Sequence, residues 1–134
     1  MDFNDRNFYY RCDAVSGDYE VIAAAVCNRD GSVNKRYVSK ENPWGQIFLL
    51  DKIEIQEKYQ NLGVGSTIIE FLPKMLIHQF DWLTGIFFCA SDYSSAHKYG
   101  FDSEEYKQGC QKLIDFYEKR GYRIVKDNVM YQCW

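Results

Sequence analysis

The feature that most constrains this chain is a junction, Gln60-Asn61-Leu62-Gly63-Val64-Gly65-Ser66, set between a strand-like apolar run at 46–56 and a stretch of helical period from about 66 to 78. The run passes into alternation at Ile53-Glu54-Ile55, and beyond the turn Ile68, Leu72, Met75 and Leu76 recur at the spacing of a helix face. Gly63 and Gly65 have no Cβ, so the backbone can take positive φ there and come close to a ligand. Successive N–H groups from Asn61 to Ser66 can then gather at the mouth of the following helix, whose first-turn donors lack intrahelical acceptors and whose dipole favours an anion. A diphosphate fits such a cradle; an ordinary strand-to-helix connection with Ser66 as N-cap is the plainer alternative. Two better-known phosphate loops do not fit. The P-loop requires Lys where Gly65 stands, and the dinucleotide fingerprint requires a third Gly where Ile68 stands.

Around that junction the chain reads as one α/β domain, α+β in some schemes. Segments 7–15 and 19–27, rich in aromatic and β-branched residues, flank Ser16-Gly17-Asp18 and are expected to pair as a hairpin, with a weaker strand at 32–39 after Asn28-Arg29-Asp30-Gly31. The strand at 46–56 should be central. Pro73 lacks an N–H and clashes with the carbonyl of Ile69, which predicts a kink or an early stop after Leu72. A short buried strand at 85–90, a polar loop at 91–103 and a second helix at 104–120 follow. That helix is acidic at its start, has Lys119 and Arg120 near its end and has Gly121 just beyond. Strands at 122–125 and 128–134 flank Lys126-Asp127. The order predicts a single domain over 1–134 with a twisted sheet of mixed, mostly antiparallel direction: N-terminal strands over about 1–45, a cofactor-binding βαβ unit over 46–91, and a helix with a strand pair over 104–134. A right-handed crossover puts the junction at the carboxyl end of its strand, where ligands of such sheets bind.

Charge and cysteine usage narrow the function classes. The net charge of −3 comes from interspersed acids and bases, which gives no footprint for nucleic acid or an anionic membrane. No apolar run approaches the roughly 18 residues of a bilayer span. The start Met1-Asp2-Phe3-Asn4-Asp5 lacks the basic-then-apolar pattern of a secretory leader, so a cytoplasmic protein is expected. Cys12, Cys27, Cys89, Cys110 and Cys133 show no Cys-x-x-Cys spacing, which suggests reduced, mostly buried thiols rather than a metal site or a disulfide framework.

The run Ile53-Glu54-Ile55-Gln56-Glu57-Lys58-Tyr59-Gln60-Asn61-Leu62-Gly63-Val64-Gly65 resembles the strand and pyrophosphate loop of the GNAT superfamily of acetyl-CoA-dependent N-acetyltransferases, whose loop reads Arg/Gln-x-x-Gly-x-Gly/Ala. A second segment, Phe116-Tyr117-Glu118-Lys119-Arg120-Gly121-Tyr122, resembles that family's helix ending Phe-Tyr-x-x-x-Gly-Phe/Tyr, and Phe88-Cys89-Ala90-Ser91 sits where its fifth strand should end. The likeness covers about residues 46–134. It implies acetyl-CoA as acyl donor, no metal, and direct transfer to a primary amine in a ternary complex, the amine being a protein lysine, an N-terminus or a small molecule. It further implies that backbone groups of Ile53, Glu54 and Ile55 line the pantetheine and acetyl carbonyl, and that Gln60, Asn61, Leu62, Gly63, Val64, Gly65 and Ser66 hold the pyrophosphate. Tyr117 would protonate the departing CoA thiolate, a task suited to a phenol of pKa about 10. Glu54, pointing opposite to Ile53 and Ile55, is the first candidate for the base that frees the amine; His97 and Asp92 are others.

The chain departs from the family in places. Cys110 stands seven residues before the Tyr, where members often carry a cofactor-contacting Asn, so the resemblance puts Cys110 among the cofactor-binding residues despite the change of type; Leu113 replaces a small residue. The stretch 92–103 is long and the N-terminal part short for the family, so the acceptor is not carried over, and a homodimer is left open. Two other readings stand beside the first. One is a GNAT-like binding module that holds a protein partner on its aromatic surface; the other is an acyltransferase using another acyl-CoA, because the loop recognises only the shared pyrophosphate.

Overall fold

The computed structural model describes residues 17–37, 41 and 46–134. Within them lie helices α1 (Gly17–Val26), α2 (Val64–Gln79), α3 (Tyr93–Tyr99) and α4 (Glu104–Glu118), and strands β1 (Gln46–Leu49), β2 (Leu83–Cys89), β3 (Arg123–Lys126) and β4 (Val129–Cys133). The strands form one mixed sheet in the order β1-β2-β4-β3. β1 and β2 are parallel and joined through α2, the expected βαβ unit, whereas β4 is antiparallel to both β2 and β3.

Among the described residues β1 is an edge strand, and it is β2, not the 46–56 run, that is central. Residues 83–88 are all buried, which fits a strand covered on both faces and explains the apolar run Ile86-Phe87-Phe88. Phe87 joins Ile22 and Val26 of α1 on one face; Ile86 and Phe88 join Ile69 and Leu76 of α2 and Ile114 of α4 on the other. Full burial of Phe87 contributes about 2–3 kcal/mol.

Several expectations are corrected. Residues 17–26 are helical, so the segment 19–27 is not a strand; its proposed partner, 7–15, lies outside the described residues. Ala23, Ala24 and Ala25 are strong helix formers, and Asp18 and Glu20 in the first turn suit the dipole. Ile22, Ala23 and Val26 share the side that packs on Phe87 and Val129, so burial overrides the β-preference of Val21, Ile22 and Val26. In place of the strand at 32–39 there is a single bridge, Cys27 to Val33, and a short 3-10 turn, Lys35–Tyr37, with 38–39 outside the described residues. Residues 91–103 are not all loop, since α3 forms within them.

Pro73 does not stop α2, which continues to Gln79. The missing N–H of Pro73 leaves the Ile69 carbonyl without its intrahelical donor, and the Tyr122 hydroxyl donates to that oxygen at 3.2 Å. α4 ends as expected, with Gly121 in the left-handed region at φ 88, and Asp127 at φ 52 turns the final hairpin. Among the described residues no helix is long and apolar enough to cross a membrane.

Candidate functional site

After a register shift between Gln46 and Ile47, β1 and β2 pair as far as Leu49 and Phe87, and the last rung is Leu50 N–H to Phe87 O at 2.9 Å. From there 51–56 leaves the ladder while β2 runs on to Cys89, paired with β4. A cleft of about 810 Å³ opens where the two part, a size usual for ligand sites. Residues 51–55 form one wall, the junction and first turn of α2 another, and the end of β2, the start of α3 and one side of α4 complete it.

The mouth of α2 is uncapped. Its N-cap Gly63 is left-handed at φ 79, no side chain caps the helix, and no acid sits in its first turn. Asn61, at φ 59, is also left-handed. Residues 60–63 form a turn, and the first well-aligned main-chain bond there is Thr67 N–H to Gly63 O at 3.0 Å; none of the N–H groups from Asn61 to Ser66 makes a well-aligned hydrogen bond among the described residues. A Cβ added to Gly65 would meet Ile55 at an ordinary 3.8 Å, so the protein's own packing does not demand glycine at that position. The Gln60 side chain donates to Ile55 O at 2.9 Å and ties the turn back to the departing strand.

Ile53, Glu54, Ile55, Gln60, Asn61, Gly63, Val64, Gly65, Ser66 and Tyr117 all line this one cleft. Two residues assigned to cofactor binding do not. Leu62 is 70% exposed, and Cys110 is buried outside the lining, its sulfur accepting the Asp92 N–H at 3.4 Å. The Tyr117 ring packs edge-on against Phe88, centroids 4.6 Å apart. Burial pushes its phenol pKa up, and its hydroxyl makes no hydrogen bond among the described residues. Glu54 is exposed and paired with Lys52 at 2.8 Å; that hydrogen bond, with the charge behind it, holds its carboxyl below the usual range and makes it a weaker proton acceptor.

The wall built by α3 was not legible as a helix in the polar reading of 91–103. Asp92 caps α3, accepting from Ser95 N–H at 3.1 Å and Ser95 Oγ at 2.6 Å. A Cβ on Gly109 would fall 1.9 Å from Asp92 Oδ2, so glycine is what lets α4 lie against that cap. The Tyr93 hydroxyl donates to Asp18 in the first turn of α1, which anchors α3 from its other side. A capping Asp92 and a left-handed Gly100, φ 91, were the start and stop signals available in the sequence. Cys89 also lines the cleft, but burial and then the Asp18 charge push its thiol up to about 12, which leaves it a poor nucleophile. No cluster of three or more His, Cys, Asp or Glu suited to a metal occurs among the described residues.

Comparison of the chain with family models, with curated proteins and with solved structures returned no match.

Proposed function

We propose that the protein is an acyl-CoA-dependent N-acetyltransferase that works by direct transfer to a primary amine. One observation carries the reading: consecutive main-chain N–H groups, Asn61 to Ser66, make no well-aligned hydrogen bond among the described residues, at an uncapped helix mouth on the same cleft as Tyr117. Orphan donors of this kind suit a diphosphate, and the parting of β1 from β2 leaves room for an extended pantetheine chain. Acetyl-CoA would supply a thioester whose C–S bond breaks as the N–C bond to the amine forms, with the electron pair leaving on sulfur.

The chain's residues then have balanced tasks. Glu54, ionised throughout the working range, receives or relays the proton that an ammonium must lose before attack, and passes it to solvent. Tyr117, its pKa raised by burial, holds its proton through neutral pH and gives it to the departing sulfur. The second N–H proton of the attacking amine restores the phenol. Cys89, held as a thiol, favours this direct route over one through a cysteine acyl-enzyme.

Acetyl-CoA at about a hundred times its Kd should stabilise the protein by about 2.7 kcal/mol, visible as a rise in Tm. Tyr117→Phe should lower turnover, read as thiol release with an amine, about 100-fold while leaving acetyl-CoA affinity within about twofold. Absence of any thermal shift at millimolar acetyl-CoA would end the acyl-CoA reading; unchanged turnover in the variant would remove Tyr117 from its role.

A further inference from the structure

Arg120 lies three residues beyond Tyr117, and its side chain is only 20% exposed. Each part of the guanidinium is placed. Nη1 donates to Phe116 O at 2.8 Å, and Nη2 donates to Ser66 Oγ at 2.9 Å across a sequence separation of 54 residues. Nε lies 3.5 Å from Glu70 Oε1, within ion-pair range but without hydrogen-bond alignment. The group lies over the Phe116 ring, 3.8 Å from its centroid. Ser66 belongs to the first turn of α2 and Phe116 to the last turn of α4, and both line the cleft.

We infer that Arg120 is a positioning residue of this site, which locks the Tyr117 turn of α4 to the mouth of α2 and commits the Ser66 hydroxyl to donate toward an anion held there. The inference rests on the acyl-CoA reading above. A guanidinium can only donate, so Ser66 Oγ must accept from it, and the Ser66 O–H keeps its proton for another partner. That proton makes no hydrogen bond within the protein among the described residues. A hydroxyl that accepts from a cation is also a stronger donor in turn. Lysine would keep the charge but not the fork that spans the two helices.

A cycle of Arg120→Met, Ser66→Ala and the double variant separates this from a plain helix staple, with acetyl-CoA affinity measured by titration and Tm measured on the ligand-free protein. Each single change should weaken acetyl-CoA binding about tenfold, and the double change about tenfold rather than a hundredfold, because the two act through one hydroxyl. Arg120→Lys should recover less than half of the loss on a logarithmic scale. A staple would lower Tm in Arg120→Met but leave Ser66→Ala with wild-type affinity, and that result, or full additivity, overturns the inference. Should Arg120→Met fail to fold, Ser66→Ala alone decides: a tenfold loss supports it and no loss overturns it. If the wild-type protein itself does not bind acetyl-CoA, the acyl-CoA reading falls first and takes this inference with it.

Discussion

The first turns of α2 and α4 treat the same problem in opposite ways. Both helices begin with N–H groups that have no intrahelical acceptor. At α4 the protein answers from within: Ser103 accepts from Tyr106 N–H at 3.2 Å, and Glu104 and Glu105 set negative charge against the dipole. At α2 there is no capping side chain and no acid, and the mouth opens on the cleft. The middle of α2 sharpens the contrast. There the Ile69 carbonyl, orphaned by Pro73, is closed by Tyr122, which lies beyond the C-terminal end of α4. The buried Ile69 carbonyl is closed from within the protein, whereas the α2 mouth is left open on the cleft, as the anion site proposed above would require.

Three changes would break or sharpen this comparison. The largest effect is expected from Tyr122→Phe, which strips the donor from Ile69 O in a buried setting and should cost about 2 kcal/mol of stability in denaturant titrations. Adding Pro73→Ala, which restores an N–H at that point of the helix, should recover part of that loss; no recovery would mean that the Tyr122 hydroxyl does not act through the Ile69 carbonyl. Next, Asn61→Asp keeps the side chain's shape and its tolerance of positive φ while adding an acid beside the open mouth. Acetyl-CoA affinity should fall about tenfold at low salt, less at high salt, with ligand-free Tm unchanged or higher. Equal affinity in both would show that no anion sits there. The smallest effect belongs to Ser103→Ala, which should lower stability by about 1 kcal/mol without altering acetyl-CoA affinity. A loss of affinity as large as that of Asn61→Asp would erase the distinction between the two mouths.

The junction was legible because its information is local. Gly63 takes the left-handed conformation that a residue without Cβ permits, the apolar period after it gives α2, and Gly121 ends α4 where the charge pattern predicted. Other parts were not. Tyr19, Val21, Ile22 and Val26 read as strand residues until the face of the sheet that buries Ile22 and Val26 is known. The Ser- and Tyr-rich stretch after Ser91 reads as loop until Gly109 is seen to admit the Asp92 cap of α3 against α4. Cys110, placed by motif position, is buried outside the cleft lining, and its sulfur accepts the Asp92 N–H.

By itself the amino-acid order determined the parallel unit around 46–89, the glycine turn within it and the C-terminal helix and hairpin, since each is specified by residues a few positions apart. Tertiary structure alone decided that α1 is a helix, that α2 runs through Pro73, and that Ser66 and Arg120 meet. The groups that settle the last two, Tyr122 for Ile69 and Arg120 for Ser66, come from 53 and 54 residues away. No local propensity encodes a hydrogen-bond partner at that distance; it exists only once packing has brought the two helices together.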